Sequence, residues 1–160
     1  QNQSVDPNHL DQMIDFIRIF ADKCHHGKEE DLLFVAMEKV GIPRDGGPIG
    51  VMLSEHTIGR NFVKGMAEAT EQLNGQKAKF VENARGYVQL LREHIMKEDN
   101  ILYPMANQRF TDENQKELLK QFADVEKTVI GEGKHEEYYK LLEHLKSVYL
   151  PAMTSLSGCF

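Results

Sequence analysis

Cysteine is scarce in this chain: two in 160 residues. Cys24 falls inside a helical pattern and Cys159 is next to the last residue, so a disulfide framework is not expected, and a reducing, cytoplasmic setting is the default. No run of about 18 uninterrupted apolar residues exists, which excludes a membrane-spanning helix of ordinary length. Lys/Arg blocks are missing too, and with a net charge of −6 this argues against a nucleic-acid surface. No stretch alternates with period two over a useful length, so strands have no signal. No signal peptide is visible, and the chain opens on Gln rather than Met, which reads as a processed or incomplete start.

What is present is helix after helix. The apolar share of 41% suits one domain with a real core, taken as residues 1–150, with a loose tail at 151–160. Asp6-Pro7 is a start signal, an N-cap acid followed by a proline that tolerates the first turn. Leu10, Met13, Ile14, Ile17 and Phe20 then recur at helical spacing, and the pattern runs to Met37 before "GIPRDGGP" at 41–48 stops it. A second helix is expected over 48–73 and a third over 77–107, separated by "NGQ" at 74–76. Thr111 caps a fourth near 112–130, "GEG" at 131–133 ends it, and a fifth covers 134–149 before Pro151. Short connections favour an all-α, up-down bundle of four helices with an additional C-terminal helix.

Two segments 69 residues apart repeat one another: "HHGKEEDLLF" at 25–34 and "HIMKEDNILY" at 94–103. Each is His-x-x-x-Glu, a second acid, then an apolar pair and an aromatic ring. Positions i and i+4 share a helix face about one turn apart, so an imidazole nitrogen and a carboxylate oxygen converge on one point. One copy alone reads as a solvated side-chain pair. Two copies, both beside buried stripes, instead suggest two helices facing each other across a metal, because buried charges need partners. The imidazole–carboxylate mixture suits iron better than a thiolate zinc site would. Matching the copies aligns His25-Glu29 with His94-Glu98 and turns His26 about 100° away, toward the periphery or solvent. His56, in "SEHTIGR" among Met52, Leu53 and Phe62, reads from its neighbours as a hydrogen-bonded core histidine. His135 reads as surface. Gly27, Gly59 and Gly86 sit inside helices at about 1 kcal/mol each, either tolerated or kept for close approach. Pro104 is expected to kink the third helix, while the equivalent position in the first copy is Val35.

Together, "HHGKEEDLLF", "EHTIGR" and "HIMKEDNILYPMA" resemble the hemerythrin-like, His-His-Glu class of cation-binding proteins, and "GIPRDGGPIGVMLSEH" resembles its prokaryotic branch. The resemblance implies a four-helix bundle holding a non-haem centre of two iron ions. It further implies metal ligation by His25, Glu29, His56, His94 and Glu98, with the two glutamates and an oxo or hydroxo group as bridges. The implied ligand is a small diatomic, oxygen or nitric oxide, bound for sensing, storage or iron and redox homeostasis. A di-iron redox enzyme and a metal-free interaction domain are the competing readings; the chain gives no sign of nucleic-acid or membrane partners and leaves homo-oligomerisation open. Two departures matter. Family members carry a histidine on an earlier helix; a missing segment, a neighbouring subunit or His144 in "LLEHLKSVYL" are the candidate substitutes. Oxygen carriers also have a histidine four residues after the one matched by His56, where this chain has Arg60.

Overall fold

The computed structural model describes residues 5–71, 73–131 and 133–150, so the expected tail, Pro151 and Cys159 lie outside the described residues. Among the described residues the structure is helical throughout, with no strand. We label the helical segments α1 (residues 7–39), α2 (Pro48–Thr70), α3 (residues 73–109), α4 (residues 112–130) and α5 (Lys134–Tyr149).

The caps explain the boundaries. Asp6 is extended, and its carboxylate accepts from the Asn8 amide at 2.9 Å, while Pro7 opens the first turn. The turn after α1 uses Gly41 and Gly46 at φ +87° and +70°, values that glycine adopts without steric cost. Thr111 heads α4 with a reciprocal capping box to Asn114. Two expectations shift. The second helix ends at Thr70 rather than 73. The break at 74–76 reduces to a kink, because only Gln76 leaves helical geometry (φ −123°, ψ 17°) before α3 continues.

The helices are not uniformly α-helical. α1 widens into π-type turns over Ile17–His26 and Glu29–Leu33, and α3 does so over Glu98–Leu102. The last two stretches are the same part of the two sequence repeats, so the repeat extends to the backbone. Pro104 falls in the first turn of the α-helical stretch that follows the widened turn of α3. It does not cause that turn, since the first copy widens identically with Val35 in its place.

Two apolar clusters divide the interior. One gathers Leu33, Phe34, Met37, Ile49, Met52 and Leu102, with Leu118 of α4 laid against it. The other gathers Ile14, Val63, Met66 and Tyr87, flanked by Phe62 and Leu91. On α2 the first cluster ends at Met52 and the second begins at Val63, and His56 lies between them. The polar centre is therefore sealed above and below by packed side chains.

Candidate metal centre

Three helices deliver the centre. α1 carries His25, His26, Glu29 and Glu30; α2 carries Glu55, His56 and Arg60; α3 carries His94 and Glu98. His56 and His94 are buried, as are Glu29 and Glu98, each only 3% exposed. Ligand atoms of Glu29, His56, His94 and Glu98 all lie within 4.8 Å of one another.

The distances show what those atoms lack. His56 Nε2 is 3.2 Å from Glu29 Oε2, His94 Nε2 is 3.1 Å from Glu98 Oε1, and the two Nε2 atoms are 3.2 Å apart. Glu29 Oε2 and Glu98 Oε1 are buried with no hydrogen bond, the close imidazoles being poorly aligned to donate to them. The outer nitrogens, by contrast, are well held. His56 Nδ1 meets Glu30 Oε1 at 2.7 Å, and His94 Nδ1 meets Glu55 Oε2 at 2.9 Å. With each Nδ1–H donated to its carboxylate, two Nε2 lone pairs and two carboxylate oxygens surround one point. Four acceptors that close need a shared proton or a cation between them. Carboxylates behind imidazoles are also the usual means of aiming a histidine at a metal. On the chemistry of its donors, the site fits a metal.

The supporting charges are tied in turn. Lys97 Nζ donates to Glu55 Oε1 at 2.5 Å. Arg60 spans two carboxylates, donating from Nε to Asp22 at 2.8 Å and from its terminal nitrogen to Glu30 at 2.8 Å. Burial works to raise the Glu98 carboxyl, but His25 and His94 beside it prevail and hold it well below the ordinary range. The Glu98 carboxylate facing its ring lifts His25 above the usual imidazole value, against the opposing effect of burial. In His94, burial opposes protonation, yet Glu98 and Glu55 raise it on balance. Burial first, and then the charges of Glu29 and Glu98, push the Tyr103 phenol up, so its O–H stays on and donates to Glu29 Oε1 at 2.9 Å.

All five residues singled out in the sequence gather in this region. His25 reaches it from the open side: 43% exposed, with Nε2 at 3.6 Å from Glu98 Oε1 and 3.9 Å from Glu29 Oε2. The expected position of His26 needs correction. It is 6% exposed and stacks on His56 with ring centroids 4.0 Å apart, so its ring faces α2 rather than solvent. His144 is exposed against His9 (centroids 5.5 Å), at the far end of α1, sixteen residues and roughly 20 Å from His25. It does not enter the centre. The sequence pointed to none of Asp22, Glu30 and Glu55 as supports of the centre. Asp22 has a signal within its own helix, the spacing Asp22-x-x-x-His26, whereas Glu30 and Glu55 serve imidazoles of other helices, His56 and His94.

No curated protein and no solved structure matches the chain. A family model does, that of the hemerythrin HHE cation binding domain, over residues 1–106. The matched span carries both repeats, His56 and the supporting carboxylates, and it stops before α4. This chain belongs to the hemerythrin HHE cation-binding domain family.

Proposed function

We propose that the protein holds two non-haem iron ions and binds a small diatomic, oxygen or nitric oxide, in sensing, storage or iron and redox homeostasis, in the cytoplasm. In this reading α1, α2 and α3 form an up-down bundle around the ions, with α4 and α5 added against α1. One observation carries it: a point deep between three helices is lined by buried acceptors with no donor among the described residues to serve two of them. His25, Glu29, His56, His94 and Glu98 would hold the ions, the two glutamates facing both. Iron in such a donor set supplies a redox-active Lewis acid with room for an exchangeable ligand.

The chain's own residues do the rest. Glu30 and Glu55 fix the tautomers of His56 and His94, keeping both Nε2 lone pairs turned inward. A cavity of about 380 Å³, walled by Leu33, Ala106, Leu118 and Phe122, runs to His25, Glu29 and Tyr103. It gives a small apolar molecule a route to the centre, and its walls limit water. One observation favours the second reading, a di-iron redox enzyme: the Tyr103 O–H stands at the centre as a hydrogen-bond donor to Glu29, where it can orient a reacting group.

Metal analysis and an ultraviolet–visible spectrum of the purified protein test the centre. Two irons per chain and a charge-transfer band are expected, and His94→Ala should remove most of the metal. Absence of both features would leave the metal-free interaction domain standing. Stopped-flow mixing with oxygen and with nitric oxide then separates reversible binding from turnover.

A further inference from the structure

Arg60 sits one turn after His56, at the position where oxygen-carrying relatives of the resembled class place another histidine, and a guanidinium cannot ligate a cation. One metal position therefore starts an imidazole short. The neighbouring helix provides one. His26 projects from α1 into the same space and is buried, 6% exposed against 1–3% for His56, His94, Glu29 and Glu98. One ring nitrogen each of His26, His56 and His94 lies within 4.8 Å of the others. The His26 ring stacks on His56 and meets His94 edge-on, with centroids 5.7 Å apart.

The outer side of the ring makes the same point. His26 Nδ1 faces Asp22 Oδ1 at 3.2 Å, so all three imidazoles have a carboxylate on Nδ1. Arg60 grips that same Asp22, with nitrogens at 2.7 and 2.8 Å, and ties it to Glu30 behind His56. The residue that cannot ligate thus braces the two carboxylates that aim His26 and His56. No carboxylate holds the outer nitrogen of His25 among the described residues.

Resting on the di-iron reading above, we infer that His26 is a metal ligand, the third imidazole of the position bounded by His56 and His94, moved from α2 to α1. His25 then serves the other position, on the open side of Glu29 and Glu98. Asp22 and Arg60 act through His26 as positioning residues.

The test is anaerobic titration of metal-free protein with Co(II), whose visible bands report how many nitrogens surround it, with bound metal counted after gel filtration. Wild type should take up two ions. His26→Gln, chosen to keep volume, should lose affinity at one position by a factor of at least about ten, with a shift of the visible bands. Asp22→Asn should move the same bands in the same direction by less. Far-UV circular dichroism checks that the variants keep their helices. If folded His26→Gln takes two ions with wild-type affinity and spectrum, the assignment is wrong while the centre stands. If wild type takes up no metal, both readings fall together.

Discussion

Gly59 and Gly86 are both interior helix glycines, yet their surroundings differ. A Cβ on Gly86 would meet the Phe62 ring at 2.5 Å, a separation real side chains do not reach, whereas one on Gly59 would touch Leu90 and Tyr87 at ordinary distances of 3.6 and 3.7 Å. Gly86→Ala should therefore cost about 1–3 kcal/mol through forced repacking. Gly59→Ala should be neutral or gain up to about 1 kcal/mol from the less flexible unfolded chain. Urea denaturation of the two variants checks the pair, and equal effects would contradict the α2–α3 packing. At this scale the sequence was partly readable. The repeated motif marked His25, Glu29, His94 and Glu98, because a helix puts i and i+4 on one face whatever surrounds it. Glu30 and Glu55 were not readable as supports, because a carboxylate becomes the partner of an imidazole on another helix only once the fold presents that imidazole. Glu55 belongs to α2 and serves His94 of α3; no spacing within one helix encodes that.

At the scale of elements, the helix ends were legible and the helix interiors were not. Asp6-Pro7, Thr111 and the positive-φ glycines announce termini through local chemistry that tertiary contacts rarely override. A π-type turn has no such marker. It is an extra residue absorbed because the packing on either side requires it, and in the two repeats it begins at Glu29 and at Glu98. The widened turn in α3 rotates His94 and Glu98 relative to Leu102 and Ala106, so that the first pair faces the centre while the second packs in the apolar cluster. Deleting Asn100, an exposed residue inside that turn, should restore α-helical winding and put the two pairs out of phase. Helix content by circular dichroism should stay near wild type, while bound metal falls by more than half. Unchanged stoichiometry would mean that the turn has no part in shaping the site.

For the whole molecule, the question is what two packed clusters gain by enclosing a polar centre between them. Without a cation, Glu29 Oε2 is a buried acceptor lacking a hydrogen bond, a condition that typically costs about 1–3 kcal/mol. Glu29→Gln removes the formal charge and turns an amide N–H toward His56 Nε2, now 3.2 Å from that oxygen, while the other oxygen still accepts from Tyr103. The metal-free variant should then unfold about 2–4 °C above metal-free wild type, the shift expected for roughly 1 kcal/mol in a chain of this size. Metal should reverse the order. Free metal at about a hundred times its dissociation constant stabilises a specific site by about 2.7 kcal/mol, so wild type should gain about 5–10 °C on loading. Glu29→Gln lacks one of the two buried carboxylates of the centre and should gain much less. Differential scanning calorimetry of both proteins, with and without metal, gives all four midpoints. A crossing of the two proteins' order on loading means that folding energy is spent to keep the centre ready. If Glu29→Gln is the less stable protein in both conditions, the carboxylate is part of the scaffold and the destabilised-site account is wrong.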